Sequence, residues 1–227
     1  SELAGKSFFD TDENFKPAEF MHFCSRLMIN EPKERGKAPC MITFCSFEQQ
    51  FYLIELAKKY GINNYINLVF RKNFSAQVLK ANMRVVGNAE YGLILYRDKL
   101  PKFNNNGKMV FNIMDWEDDT DFLYEKIHPT QKPIRLLERL ISIFTDEGDV
   151  VIDPVAGSGS TLVAANNLNR KAYGFEIKKN FYRDAVAWIE KCQKVNSEIR
   201  KTGYSNTYMK LQSGQNTLFD SQMEVNH

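Results

Sequence analysis

The chain has 227 residues, 43% of them apolar and 26% charged, and 30 Lys and Arg against 28 Asp and Glu leave a net charge of +2. Those proportions exclude a disordered, collagen-like or coiled-coil chain, and no run of about 18 apolar residues is available to span a membrane. So small a charge does not by itself point to a polyanionic partner, and four cysteines and three histidines without metal-ligand spacing fit a reduced, cytoplasmic, metal-free setting.

The opening residues, SELAGKSFFDTDENF, are polar and partly acidic, unlike a secretory leader. Residues 16–30 place Phe20, Phe23, Cys24, Leu27 and Met28 on one face of a helix. Cys40–Cys45 is a short apolar run, read as a buried strand. Residues 47–60 predict a helix with Phe51, Ile54, Leu56 and Ala57 inward, and Gly61 stands where its C-cap belongs. Strands follow at 64–70 and 91–96. Residues 98–126 show little periodicity and read as a loop-rich insert. A helix over 132–144 has Ile134, Leu137, Ile141 and Phe144 on one face. Then come a strand at 149–153, a helix at 160–168, a strand at 171–177 and a long amphipathic helix at 179–200. That last helix carries Phe181, Ala185, Trp188, Ile189, Cys192, Val195 and Ile199. The final stretch, 201–227, is a polar tail. Strands alternating with helices predict an α/β fold with a parallel, doubly wound sheet.

The stretch 150–177, VVIDPVAGSGSTLVAANNLNRKAYGFEI, carries the most chemistry. A strand runs into Asp153-Pro154, then Ala156-Gly157-Ser158-Gly159-Ser160-Thr161, then a helix. Glycines let a backbone turn sharply and approach a ligand. The next strand ends in Glu176 and Ile177, and Glu176 stands 19 residues after Gly157. A carboxylate there is able to accept both hydroxyl hydrogens of an adenosine ribose. A dinucleotide fingerprint wants a small residue where Leu162 stands, and a P-loop wants a Lys that is absent. With Asp153 leading and no Lys, the turn suits a cation-bearing nucleoside, and S-adenosylmethionine fits.

Upstream lies a second motif, Ile127-His128-Pro129-Thr130-Gln131-Lys132-Pro133. Together with 153–161 it resembles the DNA amino-methyltransferases, which methylate adenine N6 or cytosine N4. The motif order resembles their circularly permuted beta class. The resemblance implies a Rossmann-like S-adenosylmethionine-dependent methyltransferase sheet with a short target-recognition insert at 98–126. It divides the chain into a catalytic-side half (15–97), the insert, a cofactor half (127–200) and the tail. It implies that Asp153, Ala156, Gly157, Ser158, Gly159, Ser160, Thr161, Glu176 and Ile177 hold the cofactor. His128, Thr130 and Lys132 then meet its methionine end. Adenine is favoured as the target, flipped out of double-stranded DNA.

The family carries its chemistry in an Asp/Asn/Ser-Pro-Pro-aromatic tetrapeptide. Here the prolines are 17, 32, 39, 101, 129, 133 and 154, with no two adjacent. A sheet without the strand that leads to this motif leaves buried backbone groups unpaired. The expectation is a longer polypeptide or a split partner chain that completes the enzyme, with a homodimer among the assemblies considered and a non-catalytic cofactor- or DNA-binding subunit as the rival. Arg71, Lys72, Asn73, Lys80 and Arg84 form an acid-free stretch read as meeting DNA phosphates. In the insert, Lys99, Lys102 and Lys108 are further candidates, while the acids of 115–121 should face away. In the tail, Gln215, Leu218 and Phe219 resemble the peptide by which DNA enzymes dock on the bacterial sliding clamp.

Overall fold

The computed structural model describes residues 15–28, 32–73, 77–80, 85–119, 122–128 and 130–202. The chain forms two compact units. One comprises residues up to 118 together with 139–145, the other 119–138 and everything from 146 onward.

In the first unit, helix α1 (Pro17–Leu27) precedes strand β1 (Met41–Cys45) and helix α2 (Phe47–Lys59). Strand β2 (Asn64–Lys72) leads to a short antiparallel hairpin, β3 (Gln77–Lys80) and β4 (Val85–Gly87), and then to β5 (Ala89–Tyr96) and β6 (Ile113–Trp116). The first arm of the hairpin, β3, falls inside the stretch 71–84 that carries the phosphate candidates, and β4 follows it. The main sheet has the order β1-β5-β2-β6. Its β2–β6 pair is parallel, but β5 runs antiparallel to both neighbours, so the wholly parallel sheet expected from the alternation is corrected here. The β3–β4 hairpin reverses the chain between β2 and β5, which therefore pair antiparallel. Within the loop-rich stretch 98–126, Ile113–Trp116 form β6, a strand that the sequence reading does not mark. Four residues with exposed Ile113 and Asp115 and buried Trp116 are too few to display a strand period.

Met21, Met28, Leu53, Leu56, Ala57, Ile62, Leu93 and Leu95 form the core of this unit. The inward face of α1 is Met21, Cys24, Ser25 and Met28, whereas Phe23 and Leu27 are exposed. Cys24 and Met28 lie inward as the periodicity predicts, and Phe23 and Leu27 are corrected. Phe51 also points outward, against Phe47. The start of α2 has a capping box in which Ser46 and Gln49 exchange side chain-to-backbone hydrogen bonds. Its end is a Schellman motif. Gly61, at φ 73°, donates to the Lys58 carbonyl and Ile62 to the Ala57 carbonyl, both at 3.0 Å.

Arg97 closes both helix ends at once. Its guanidinium donates to the carbonyls of Ser25 and Met28 at the end of α1 and of Tyr60 and Gly61 at the end of α2, at 2.9–3.0 Å. These carbonyls belong to the groups a helix leaves unpaired, at the negative pole of each dipole. Gly61 is needed here for a second reason. A Cβ at that position would come within 2.8 Å of the guanidinium.

The second unit is built on strands β7 (Val150–Asp153) and β8 (Lys171–Gly174), which pair in parallel across helix α4 (Ser160–Asn167). Helix α3 (Ile134–Phe144) is divided between the units after Glu138. Its apolar side chains are buried at Leu136, Leu140 and Ile143 as well as at Ile134, Leu137 and Ile141, a wider band than one face. The Ile134 amide at its start donates to the Asp119 carboxylate at 2.7 Å. Helix α5 (Lys179–Thr202) buries Ala185, Trp188, Cys192 and Val195, as its periodicity requires. Asn167 is a polar hub among these elements. Its amide nitrogen meets Glu138 at 2.6 Å and the Tyr124 hydroxyl at 2.9 Å, and its oxygen accepts from Asn196 at 2.6 Å.

Two outcomes follow from this packing. Arg97→Ala strands four helix-end carbonyls and is expected to cost about 2–4 kcal/mol, read as a lower urea midpoint at unchanged m. Burial pushes the Cys40 thiol up to about 12 and, with Glu90 adding to it, Cys45 up to about 11, while Cys24 and Cys192 are buried. Alkylation depends on thiolate, so iodoacetamide at mildly alkaline pH should leave the folded chain unmodified while labelling it in denaturant.

Candidate functional site

Strand β7 ends at Asp153, whose carboxylate folds back to accept the Val155 amide at 3.1 Å. The chain then turns through Gly157 and Gly159, at φ 54° and 80°, conformations that favour glycine. The two glycines serve different ends. A Cβ on Gly159 would lie 2.8 Å from Ile189 and 3.5 Å from Ala185, so this residue is small to admit α5. A Cβ on Gly157 would meet nothing closer than 4.0 Å, where it would touch His128 and the Val155 carbonyl. Only Gly157 presents an open backbone face. Ser158 and Ser160 are buried and Thr161 is half-buried at the start of α4.

Glu176 faces the same turn. It stands two residues beyond β8, not on the strand as the apolar run implied. The Phe175 amide still reaches the Asp153 carbonyl at 3.0 Å, and Phe175 accepts the Ala156 amide at 2.9 Å, which ties the two loops together. The Glu176 carboxylate accepts the Gly157 amide at 3.0 Å on one oxygen and the Lys178 amide at 2.8 Å on the other. A carboxylate offers about four acceptor positions, so about two remain for a ligand. Ile177 beside it is 81% exposed and Val155 on the turn is 59% exposed, which leaves apolar surface flanking the carboxylate.

The segment 127–132 approaches this turn through His128. The Gln131 side chain staples the loop, accepting the Ile127 amide at 3.1 Å and donating to the Glu125 carbonyl at 3.2 Å. The Thr130 amide and hydroxyl lie 3.2 and 3.1 Å from His128 Nδ1. An amide can only donate, so Nδ1 is the unprotonated nitrogen. Phe181 of α5 packs edge-on against the imidazole at 4.4 Å. Burial holds the His128 pKa below the usual value of 6.5; Lys132 and Lys178 add to this and Glu176 opposes it. The site thus gathers His128, Gly157 and Glu176 as read from the sequence, and adds Gln131, Lys178 and Phe181, which the sequence reading missed. Gln131 stood in plain view inside the motif; Phe181 was legible only as one more apolar residue of a helix.

Among the residues read as meeting phosphate, Arg71 is exposed and donates from Nη2 and Nε to one oxygen of Asp115 at 2.6 and 2.8 Å. An exposed pair of this kind is worth about 0–1 kcal/mol, so a phosphate competes for it readily. Asn73 is exposed. Lys72 is corrected. Its side chain is 13% exposed, pairs with Glu90 at 2.7 Å and lies over the Trp116 ring at 4.6 Å, so it serves the interior of the first unit. Lys80 lies in β3 with its side chain outside the description, and Arg84, Gln215, Leu218 and Phe219 lie outside the described residues.

The sign of the His128 effect is fixed. Folding lowers its pKa, so the folded state binds fewer protons, and stability is complete above about 6.5 and falls as the pH drops through the lowered value. His128→Gln is expected to flatten that part of the profile of unfolding free energy against pH, measured in urea beside the wild type.

The family model described as DNA methylase matches residues 4–187. The DNA adenine methyltransferase YhdJ of Escherichia coli K12 is 30% identical over 164 residues, which cover 69% of this chain and 51% of that protein. The type II methyltransferase M2.DpnII of Streptococcus pneumoniae is 39% identical over 98 residues, which cover 42% of this chain and 36% of that protein. The chain thus spans a third to a half of these two curated relatives. Among solved structures, the M1.HpyAVI–SAM complex superposes with a TM-score of 0.60 at 26% identity, over 78% of this chain and 84% of that one. The cytosine-N4-specific PvuII DNA methyltransferase, at 16% identity and a TM-score of 0.59 over 92% of this chain and 81% of that one, shares the fold. With its family model matching most of its length, the chain belongs to the DNA methylase family.

Proposed function

We propose that this chain is the cofactor-binding and DNA-contacting part of an S-adenosylmethionine-dependent DNA methyltransferase. It acts on the exocyclic amine of a flipped base, adenine N6 in preference to cytosine N4. One observation carries the reading: Glu176 anchors the open turn at Gly157 through two backbone amides and keeps acceptor positions in reserve. The residues fit the cofactor. Two hydroxyls of a ribose match the reserve positions of Glu176, and Val155 and Ile177 give apolar surface for a base ring. Asp153 sets a second carboxylate at the turn, in keeping with a cationic ligand. When bound, S-adenosylmethionine supplies an electrophilic methyl group on a sulfonium. The adenine preference is supported by the likeness to the DNA adenine methyltransferase YhdJ, whereas the likeness to the cytosine-N4 enzyme is one of fold.

The amine is a weak nucleophile because its lone pair is delocalised into the ring, and acceptors for its two protons localise that pair. No two prolines are adjacent in the 227 residues, so the Pro-Pro-aromatic tetrapeptide that provides an acceptor in this family is not among them. In this reading it comes from polypeptide beyond these residues or from a partner chain.

Calorimetric titration tests the cofactor half. The wild-type chain takes up S-adenosylmethionine, and Glu176→Ala, with unchanged circular dichroism, weakens uptake roughly 10- to 100-fold, the worth of one or two hydrogen bonds to a charged group. Labelled-methyl transfer tests the rest. The chain should methylate DNA only when a polypeptide bearing the tetrapeptide is added. Failure of the wild type to take up the cofactor ends the reading, and methylation by the chain alone removes the need for a second segment.

A further inference from the structure

A cationic ligand at the turn after β7 meets a neighbour that is itself able to become cationic. His128 is 7% exposed, and its Cε1 lies 4.0 Å from where a Cβ on Gly157 would stand, so the imidazole borders the open backbone face. A proton on Nδ1 would remove the acceptor that the Thr130 amide uses and set a positive charge beside the sulfonium and ammonium of the cofactor. Among the described residues, the charged groups acting on the ring are Glu176 beyond β8, Lys178 ahead of α5 and Lys132 on its own segment. The loss of water around the imidazole outweighs each of them.

Phe181 covers that ring. It stands in the first turn of α5, and the two ring centroids are 4.4 Å apart with planes at 77°, an edge-to-face contact of the favourable kind. The same phenyl ring has the Lys178 ammonium 5.6 Å from its centroid, within cation–π reach. The Tyr182 amide donates to the Lys178 carbonyl at 2.9 Å, and the Lys178 amide donates to Glu176 at 2.8 Å. One turn of backbone therefore carries both the cover over His128 and the donor that fixes Glu176. Phe181 lies outside both sequence motifs, yet its side chain meets one group that carries positive charge and one that can acquire it.

We infer that Phe181 is a positioning residue for cofactor uptake, acting through His128, which it holds uncharged against the open turn at Gly157. The inference rests on the S-adenosylmethionine reading above and adds to it the residue that keeps the site receptive to a cation. Calorimetric titration with S-adenosylmethionine at about pH 8 and about pH 5.5 tests it. Each variant is taken as a ratio to the wild type at the same pH, so that titration of the ligand cancels. The ring signals of His128 in the ligand-free chain are followed by NMR over the same range. Phe181→Ala lets water reach the imidazole, so its pKa should rise from the lowered value toward 6.5. A group titrating there is only about one tenth neutral at about pH 5.5, so uptake should weaken by up to about 10-fold at that pH and stay near the wild-type level at about pH 8. Phe181→Leu keeps the apolar cover and should follow the wild type at both. In a His128→Gln background, Phe181→Ala should have no pH-dependent effect, because no imidazole remains to be charged. Should Phe181→Ala lose its circular dichroism, Phe181→Val, with part of the cover removed, carries the same test at smaller amplitude. An equal loss at both pH values with an unmoved His128 titration makes Phe181 merely structural and overturns the inference, as does no loss at either. That result, with uptake by the wild type intact, leaves the cofactor reading standing. A wild-type chain that takes up no cofactor sinks the reading and the inference together.

Discussion

The second unit turns on the Glu176 carboxylate and the two backbone amides it accepts. It joins the loop after β8 to the loop after β7 by hydrogen bonds to a charged acceptor, which are stronger than neutral ones. The same group therefore shapes the turn and remains available at its mouth. A polar side chain of Glu's length lacking the charge could reach the Gly157 amide but would offer fewer acceptor positions. The open backbone at Gly157 and the acceptor beside it are thus two aspects of one arrangement.

Small residues around this turn are distributed in a way that explains an apparent fault in the sequence. A dinucleotide fingerprint places its third small residue on the helix, for close packing against the strand. This chain has Leu162 there. The compensation lies on the strand: a Cβ on Gly174 would come within 2.8 Å of Leu162 and 3.0 Å of Ala156. Helix and strand still approach closely, with the bulk on the helix and the gap on the strand. Gly159 performs the corresponding service for α5 through Ile189.

Much of this was legible in the sequence, for physical reasons. The strand–turn–helix at 150–167 and the spacing to Glu176 follow from short-range backbone requirements, and the face of α5 follows from period. Other features depend on partners remote in sequence. On α1, Cys24 and Met28 follow from the period, but Phe23 and Leu27 read as core by composition while the packing selects Met21 and Ser25 beside them. Lys72 read as a surface cation until Glu90 and Trp116 enclosed it. Strand β6 gave no period to read, and the antiparallel sense of β5 is a property of pairing. The roles of Arg97 and Asn167 rest on contacts made across the fold, which no local pattern announces.

The reversed direction of β5 also bears on how the first unit assembles. Strands β2 and β5 face each other residue for residue, from Asn64 with Tyr96 to Arg71 with Ala89, and the β3–β4 ribbon bridges them. That pair closes a modest loop and is the nearest large contact in sequence available to the chain. Strand β1 meets β5 from Met41 with Leu95 to Cys45 with Tyr91, a longer closure with a greater entropic cost. By this measure the β2–β5 ribbon is the cheapest part of the main sheet to close, whereas β1 and β6 each join it through longer loops.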